Sequence, residues 1–289
     1  MSAATGETAR PGLGVRHSPT TIIRPSRGLR HLNLREVWEY RELLYFLTWR
    51  DIKVRYKQTV IGVAWAVIQP VLLMLLFTLF FGRIAGIQTG GIPYPLFAYA
   101  ALLPWGLFAS SLATGGTSVT ANAALVTRVY FPLIFLPASI VLDALVDFAI
   151  ASGVLVGLMI YFGVAPSLTV LTLPLFILLA IIASLGISFW LSSLDARFRD
   201  IHYTIPFLSQ LWLFATPIIY PVNLVPGPLV WVYSLNPMVG VVQGFRWALF
   251  GQDVPFGITT WLSVLVAILL FLSGLFYFLR VERMLADVV

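Results

Sequence analysis

Two aspartates, Asp143 and Asp147, stand at i and i+4 inside the apolar stretch 131–162. A carboxylate in a hydrocarbon layer is costly unless it is paired or hydrated, so such a pair is either a proton or substrate site or a polar seam facing other helices. For Asp147 the seam is the simpler reading; Asp143 is open between the two. A proton relay needs further titratable groups, and no Lys, Arg or His stands in mid-span to complete one. The densest positive charge lies elsewhere. Trp49, Arg50, Lys53, Arg55, Tyr56 and Lys57 run straight into an apolar segment beginning near Thr59. That pattern suits a topological anchor as well as a partner-binding helix.

Enzyme chemistry has little to work with. The chain has no H-E-x-x-H helix, no G-x-S-x-G elbow and no G-x-x-x-x-G-K-[ST] loop, and His17, His31 and His202 are far apart. Cysteine is absent, which excludes disulfides, thiolate metal sites and cysteine nucleophiles. If ATP drives this chain, another polypeptide binds it. The tightest acidic pair outside the apolar runs is Asp195 and Asp200, each with an arginine close by (Arg197, Arg199).

The elements that must position these residues follow from composition. Of 289 residues, 59% are hydrophobic and 10% charged, and the mean hydropathy is +0.92. A water-soluble domain carries roughly 25% charged residues. Runs of about 20 apolar residues suffice to cross a ~30 Å hydrocarbon core. The expected fold is an all-α integral membrane protein with six spans, near 59–82, 96–119, 131–162, 167–194, 201–220 and 258–279. The third is overlong and is expected to begin with a separate short element. Pro70 and Pro174 are read as interior kinks of spans one and four. Residues 1–33 read as a disordered tail, 34–58 as an amphipathic interface helix, 59–283 as the transmembrane domain and 284–289 as a C-terminal end. Within 221–257, two apolar pieces too short to span, 229–235 and 238–250, are expected to be re-entrant outer helices.

Sixteen of the eighteen Lys and Arg fall on one side of this arrangement, leaving only Arg83 and Arg246 on the other. That places both termini in the cytoplasm. On a helical projection, Leu34, Trp38, Tyr45, Trp49, Ile52 and Tyr56 share one wedge, expected to lie in the membrane interface. Gly153 and Gly157 form a G-x-x-x-G expected to pack closely on another helix. Trp65, Trp105, Phe108, Trp190, Trp212 and Phe214 read as interface anchors or core, with the lining of a glycan conduit as the sharper alternative. The connection 123–137 is expected to form one short helix, exposing Arg128 and Tyr130, before Pro132 interrupts it. Asp195 and Arg199 form an i,i+4 pair in the favourable order.

Several segments are more specific together. Trp49-Arg50-Asp51-Ile52-Lys53-Val54-Arg55-Tyr56-Lys57-Gln58-Thr59 leads to Gly62, Trp65 and Gln69-Pro70. Arg128-Val129-Tyr130-Phe131-Pro132, Val146-Asp147-Phe148, Asp195 to Asp200, Pro217 with Tyr220-Pro221, Asn236-Pro237 and Gly244-Phe245-Arg246 follow in order. Over about 34–283 the chain resembles the membrane subunits of ABC-2-type exporters, in the branch that exports cell-surface polysaccharides such as O-antigen, capsule, teichoic acid and galactan (Wzm type). Leu133 departs from that pattern, where many members carry a basic residue.

The resemblance implies a homodimer in the bacterial inner membrane and a separate ATPase, in two copies, that binds ATP and Mg. It implies a polyprenyl-pyrophosphate-linked glycan as cargo. ATPase coupling would fall to Ala124, Val126, Arg128, Tyr130, Phe131, Asp195, Arg197 and Arg199. The cationic stretch from Trp49 to Lys57 would contact lipid and pyrophosphate. Trp65, Gln69, Phe108, Asp143, Trp212 and Phe214 would line the path, and Asn236, Pro237 and Arg246 would form an outer gate. A permease for a drug or small lipid is the alternative, and a membrane-embedded enzyme of glycan assembly a more distant one.

Overall fold

The computed structural model describes residues 38–57, 62–198, 200–251 and 257–288. Leu34, Thr59, Arg199 and the 1–33 tail lie outside the described residues. Every described element is helical. Helix α1 is Arg41–Lys57, α2 Ala64–Phe77, α3 Tyr94–Ser110, α4 Ser118–Ala121, α5 Ala123–Val126 and α6 Phe135–Tyr161. Then come α7 Leu173–Arg197, α8 Asp200–Phe214, α9 Gly227–Tyr233, α10 Pro237–Phe250 and α11 Ile258–Val288. Helices α2 and α3 continue as π-helical turns, Thr78–Ile84 and Ser111–Gly115.

Five of these helices are long and apolar enough to cross a membrane: Ala64–Ile84, Tyr94–Gly115, Phe135–Tyr161, Leu168–Arg197 and Thr260–Glu282. The stretch 201–220 differs from its expected form. Helix α8 has 15 residues, carries Pro206 inside, and ends in turns before Tyr220. The third span begins at Phe135, after a turn at 133–134, as its excess length suggested. Pro174 is not a kink: it sits in the first turn of α7, where its missing N–H costs nothing. Pro70 is inside α2 as expected, and further interior prolines stand at Pro104 in α3 and Pro206 in α8.

Helices α7 and α11 form the most extensive pairing. Two glycines make it so. A Cβ on Gly186 would lie 2.7 Å from the backbone nitrogen of Phe271, and one on Gly274 would lie 2.6 Å from the Gly186 carbonyl oxygen. The two backbones touch there, a geometry no larger residue permits. Trp190 then stacks on Tyr277 with centroids 4.6 Å apart and donates to Ser273 at 3.1 Å. Gly153 and Gly157, expected to pack closely, do not: a Cβ on either meets nothing within 4 Å in this chain.

A large apolar core runs through the bundle, with Phe108, Leu112, Ile187, Met238 and Phe245 among its members. A second, smaller core closes one end. Leu47 of α1, Val126, Phe131, Leu133, Phe135, Phe189 of α7 and Phe278 of α11 meet in it. This end core positions everything that follows.

Candidate functional site

Which face of α1 turns inward was not assigned from sequence. Trp38, Tyr45 and Trp49 of the aromatic wedge are exposed, while Leu47 is buried and Asp51, Ile52, Arg55 and Tyr56 are half-buried. The reason lies on α6, where Ser139, Asp143 and Asp147 recur every four residues on one face. Ser139 donates to Asp51 at 3.2 Å. One turn further, an Arg55 guanidinium nitrogen lies 2.5 Å from Asp143, and another donates to Asp147. Tyr56 donates its hydroxyl to the second oxygen of Asp147. The contacts advance together along both helices, so the two run in the same sense. Burial first, and the hydrogen bond to Asp147 second, push the Tyr56 hydroxyl far above the usual tyrosine range, so it stays a donor at neutral pH. Asp143 is fully buried, and a buried carboxylate needs such a cation.

At the same end, residues 118–134 are fastened to three other elements. Arg50 donates to Asp51 at 2.8 Å and to the Asn122 side-chain oxygen at 3.0 Å. Thr120 donates to Asp195, at the end of α7, at 2.5 Å. The Leu133 amide donates to Glu282 of α11 at 2.7 Å. Within the segment Val126 and Phe131 are buried, whereas Ala124, Arg128, Val129 and Tyr130 are exposed.

The expected helix over this stretch is only Ala123–Val126. Thr127 turns its hydroxyl back onto the Ala123 carbonyl at 3.1 Å, and Pro132 disfavours helical backbone at the residue before it. Asp195 is buried and takes Thr120 and, at 3.6 Å, His202 as its partners; its expected partner Arg199 is outside the described residues. Arg197 is exposed, with its guanidinium over the Phe198 ring at 5.2 Å.

Beside the α1–α6 seam opens a cavity of about 810 Å³ between α2, α3 and α6, with Ser209 of α8 at its wall. Arg55, Tyr56, Trp65, Gln69, Trp105 and Asp147 all reach it. Of the six residues expected to line a path, Trp65 and Gln69 reach this cavity. Asp143 lies behind Asp147. Phe108 is fully buried edge-on against Trp212, 5.1 Å between centroids, and Phe214 is exposed away from the cavity.

Residues 42–250 match the family described as ABC-2 type transporter. The chain belongs to the ABC-2 transporter family.

This ABC-2 protein is 30% identical over 225 residues to the O-antigen export system permease protein RfbA of Myxococcus xanthus, covering 77% of this chain and 85% of that one. It is 31% identical over 207 residues to the RfbA permease of Klebsiella pneumoniae, covering 71% and 79%. To the polysialic acid transport protein KpsM of Escherichia coli it is 27% identical over 244 residues, covering 82% and 93%.

At the other end of the ABC-2 bundle, the residues expected to form a gate are a clamp on the backbone that follows α8. Arg246 of α10 is buried and donates to the carbonyls of Phe97, Pro217 and Ile218 at 3.1, 2.6 and 2.8 Å. Its guanidinium lies 3.3 Å from the centre of the Phe97 ring. Burial pushes this group down to about 9, still well above neutral pH. Asn236 caps α10 through the Met238 amide, donates to the Ala215 carbonyl at 2.9 Å and accepts from Trp212 at 2.9 Å. Pro237 is the first residue of α10 and is buried. Gly244 is required because the Phe176 ring occupies the space a side chain would fill.

Ser139, Thr120, Asn122 and Glu282 were not singled out from sequence. For Ser139 a signal existed: the four-residue spacing of Asp51 and Arg55 matches that of Ser139, Asp143 and Asp147. No comparable pattern marks the other three. Among the described residues, no group of three or more His, Asp or Glu side chains could hold a metal ion.

Proposed function

We propose that this chain is the membrane subunit of an ATP-driven exporter that carries a lipid-linked polysaccharide from the cytoplasmic to the outer face of a bacterial inner membrane. Two copies form the path, and two copies of a separate ATPase supply the ATP and Mg site. The cargo class is carried over from relatives named for O-antigen export and polysialic acid transport. The lipid link is a polyprenyl pyrophosphate. Helix α8 with the turns after it forms the sixth crossing, and α9 and α10 dip back as the outer gate. The distribution of Lys and Arg puts both termini, and the α1 end of the bundle, in the cytoplasm.

One observation carries the mechanical part: residues 118–134 are exposed at their tip and fastened at their base to α1, α7 and α11. An ATPase that seats Ala124, Arg128 and Tyr130 in a cleft would move that base as it closes on ATP. The Arg50–Asn122 bond passes the motion to α1. Arg55 passes it to α6, one wall of the cavity. Lys53 and Lys57 face outward on α1 and meet the anionic headgroups and pyrophosphate. Arg55 is committed to two carboxylates and takes no part in that contact.

The test is mass spectrometry of what co-purifies with the chain from its native membrane in mild detergent. The reading expects a soluble Walker-type ATPase at one-to-one stoichiometry. A chain that comes out with no ATPase under any mild condition contradicts it.

A further inference from the structure

The cavity beside the α1–α6 seam has an uncommon combination of walls. It is lined by the Trp65 and Trp105 indoles, the Gln69 amide, and one edge made of Asp147 with Tyr56 and Arg55. Trp65 is 55% exposed, so its ring is available as a platform. Gly106 also reaches the cavity, and a Cβ added there would meet nothing within 4 Å, so the space above it is open. Aromatic planes accept the C–H faces of a sugar ring, while carboxylate and amide groups take its hydroxyls. Asp147 has one oxygen on Tyr56 and the other on Arg55. A carboxylate has about four acceptor positions, so it can accept more.

The charge balance at that edge adds a constraint. Among the described residues at the cavity wall, Arg55 and Asp147 carry the charge, and Asp143 contacts the same guanidinium. Two carboxylates share one cation. With both carboxylates ionised the cluster is anionic, and with one protonated it is neutral. Lys53, whose ammonium lies over the Trp49 ring at 5.3 Å, and Lys57 are exposed on α1 and do not line the cavity. An acidic sugar brought to this edge would meet a like charge with no further cation among the described residues of the wall, and an uncharged sugar would meet acceptors for its hydroxyls.

From this arrangement we infer that Trp65, Gln69 and Asp147 form a sugar subsite that takes glycan units without acidic groups. The inference rests on the exporter reading and narrows its cargo. It sets this chain apart from a carrier of a polymer with a carboxylate on every unit.

The experiment removes the gene from its native host, restores it, and determines the composition of the surface glycan that disappears and returns. The expected polymer has repeats built of uncharged or amino sugars. If the polymer returns on complementation but carries a carboxylate or phosphate on every unit, the exporter reading stands and the subsite falls. If no glycan disappears, both fall. Asp147→Asn could disturb the docking of α1, so the site itself is probed with Gly106→Leu and Gln69→Leu, which leave the ion cluster intact. Each is expected to lower surface glycan at least tenfold, with the chain present in the membrane at its normal level and its ATPase still bound. Normal surface glycan in both variants overturns the assignment.

Discussion

Arg55 of α1 and Asp147 of α6, 92 positions apart in the chain, share a charge-assisted hydrogen bond, and the same guanidinium reaches Asp143 one turn away. A planar fork can serve two carboxylates at once, which a lysine ammonium does far less well. Arg55 therefore ties α1 to two carboxylates of α6, between the contacts made by Asp51 and Tyr56.

Arg55→Ala should be strongly destabilising, because it strands the buried Asp143. Breaking a buried pair from one side costs about 3 to 5 kcal/mol. In detergent, the thermal unfolding midpoint of Arg55→Ala should fall well below that of the native chain. Adding Asp143→Asn to it should restore part of the loss. Arg55→Lys should lie between the two. Equal midpoints for all four proteins would contradict the seam.

The glycines give a paired prediction. Gly274→Leu must push α11 away from the α7 backbone, at about 3 kcal/mol or more, and should yield chain that aggregates on size-exclusion chromatography. Gly153→Ala and Gly157→Ala should leave the fold of the single chain unchanged, since neither meets an atom within 4 Å.

Much of the architecture was legible in the sequence, and the exceptions have physical reasons. The two short apolar pieces bounded by Pro and Gly are helices, at Gly227–Tyr233 and Pro237–Phe250. The inward face of α1 was not assigned from sequence: Trp38, Tyr45 and Trp49 of the apolar wedge stay exposed, while Ile52 and Tyr56 are half-buried. In a membrane an apolar face can point to lipid, so burial follows the polar match of Asp51 and Arg55 with α6 instead. Gly186 and Gly274 lie in different helices, 88 positions apart by their numbering, so no local motif marks them, whereas the local G-x-x-x-G at Gly153 packs on nothing here. Phe108, Trp212 and Phe214 were grouped as path residues by type alone. None of the three reaches the cavity: Phe108 is fully buried against Trp212, and Phe214 is exposed outside it.

Arg246→Met should loosen the turn after α8. Three buried carbonyls lose their donor, and each unsatisfied polar group costs about 1 to 3 kcal/mol. Limited proteolysis should then cut near 215–219, where the native chain is protected. Arg246→Lys should protect only partly, because one ammonium does not reproduce the guanidinium geometry over Phe97.

Asn122→Ala combined with Thr120→Val removes two of the three ties that hold 118–134. The ATPase should still bind, since the exposed tip is untouched. Export should fall by roughly tenfold, the loss expected from about 1.4 kcal/mol of coupling. Loss of ATPase binding in this variant would mean that the ties shape the docking surface and do not transmit force.

The measurement that bears most directly on the whole account uses the absence of native cysteine. A single cysteine is introduced by Tyr130→Cys, and a second protein carries Leu229→Cys on the outer helix α9; both native residues are exposed. Native membranes are treated with a bifunctional thiol cross-linker, and the captured partner is identified. The account predicts capture of a Walker-type ATPase from position 130 and none from position 229. Capture from 229, or an ATPase that co-purifies yet is never captured from 130, would contradict it.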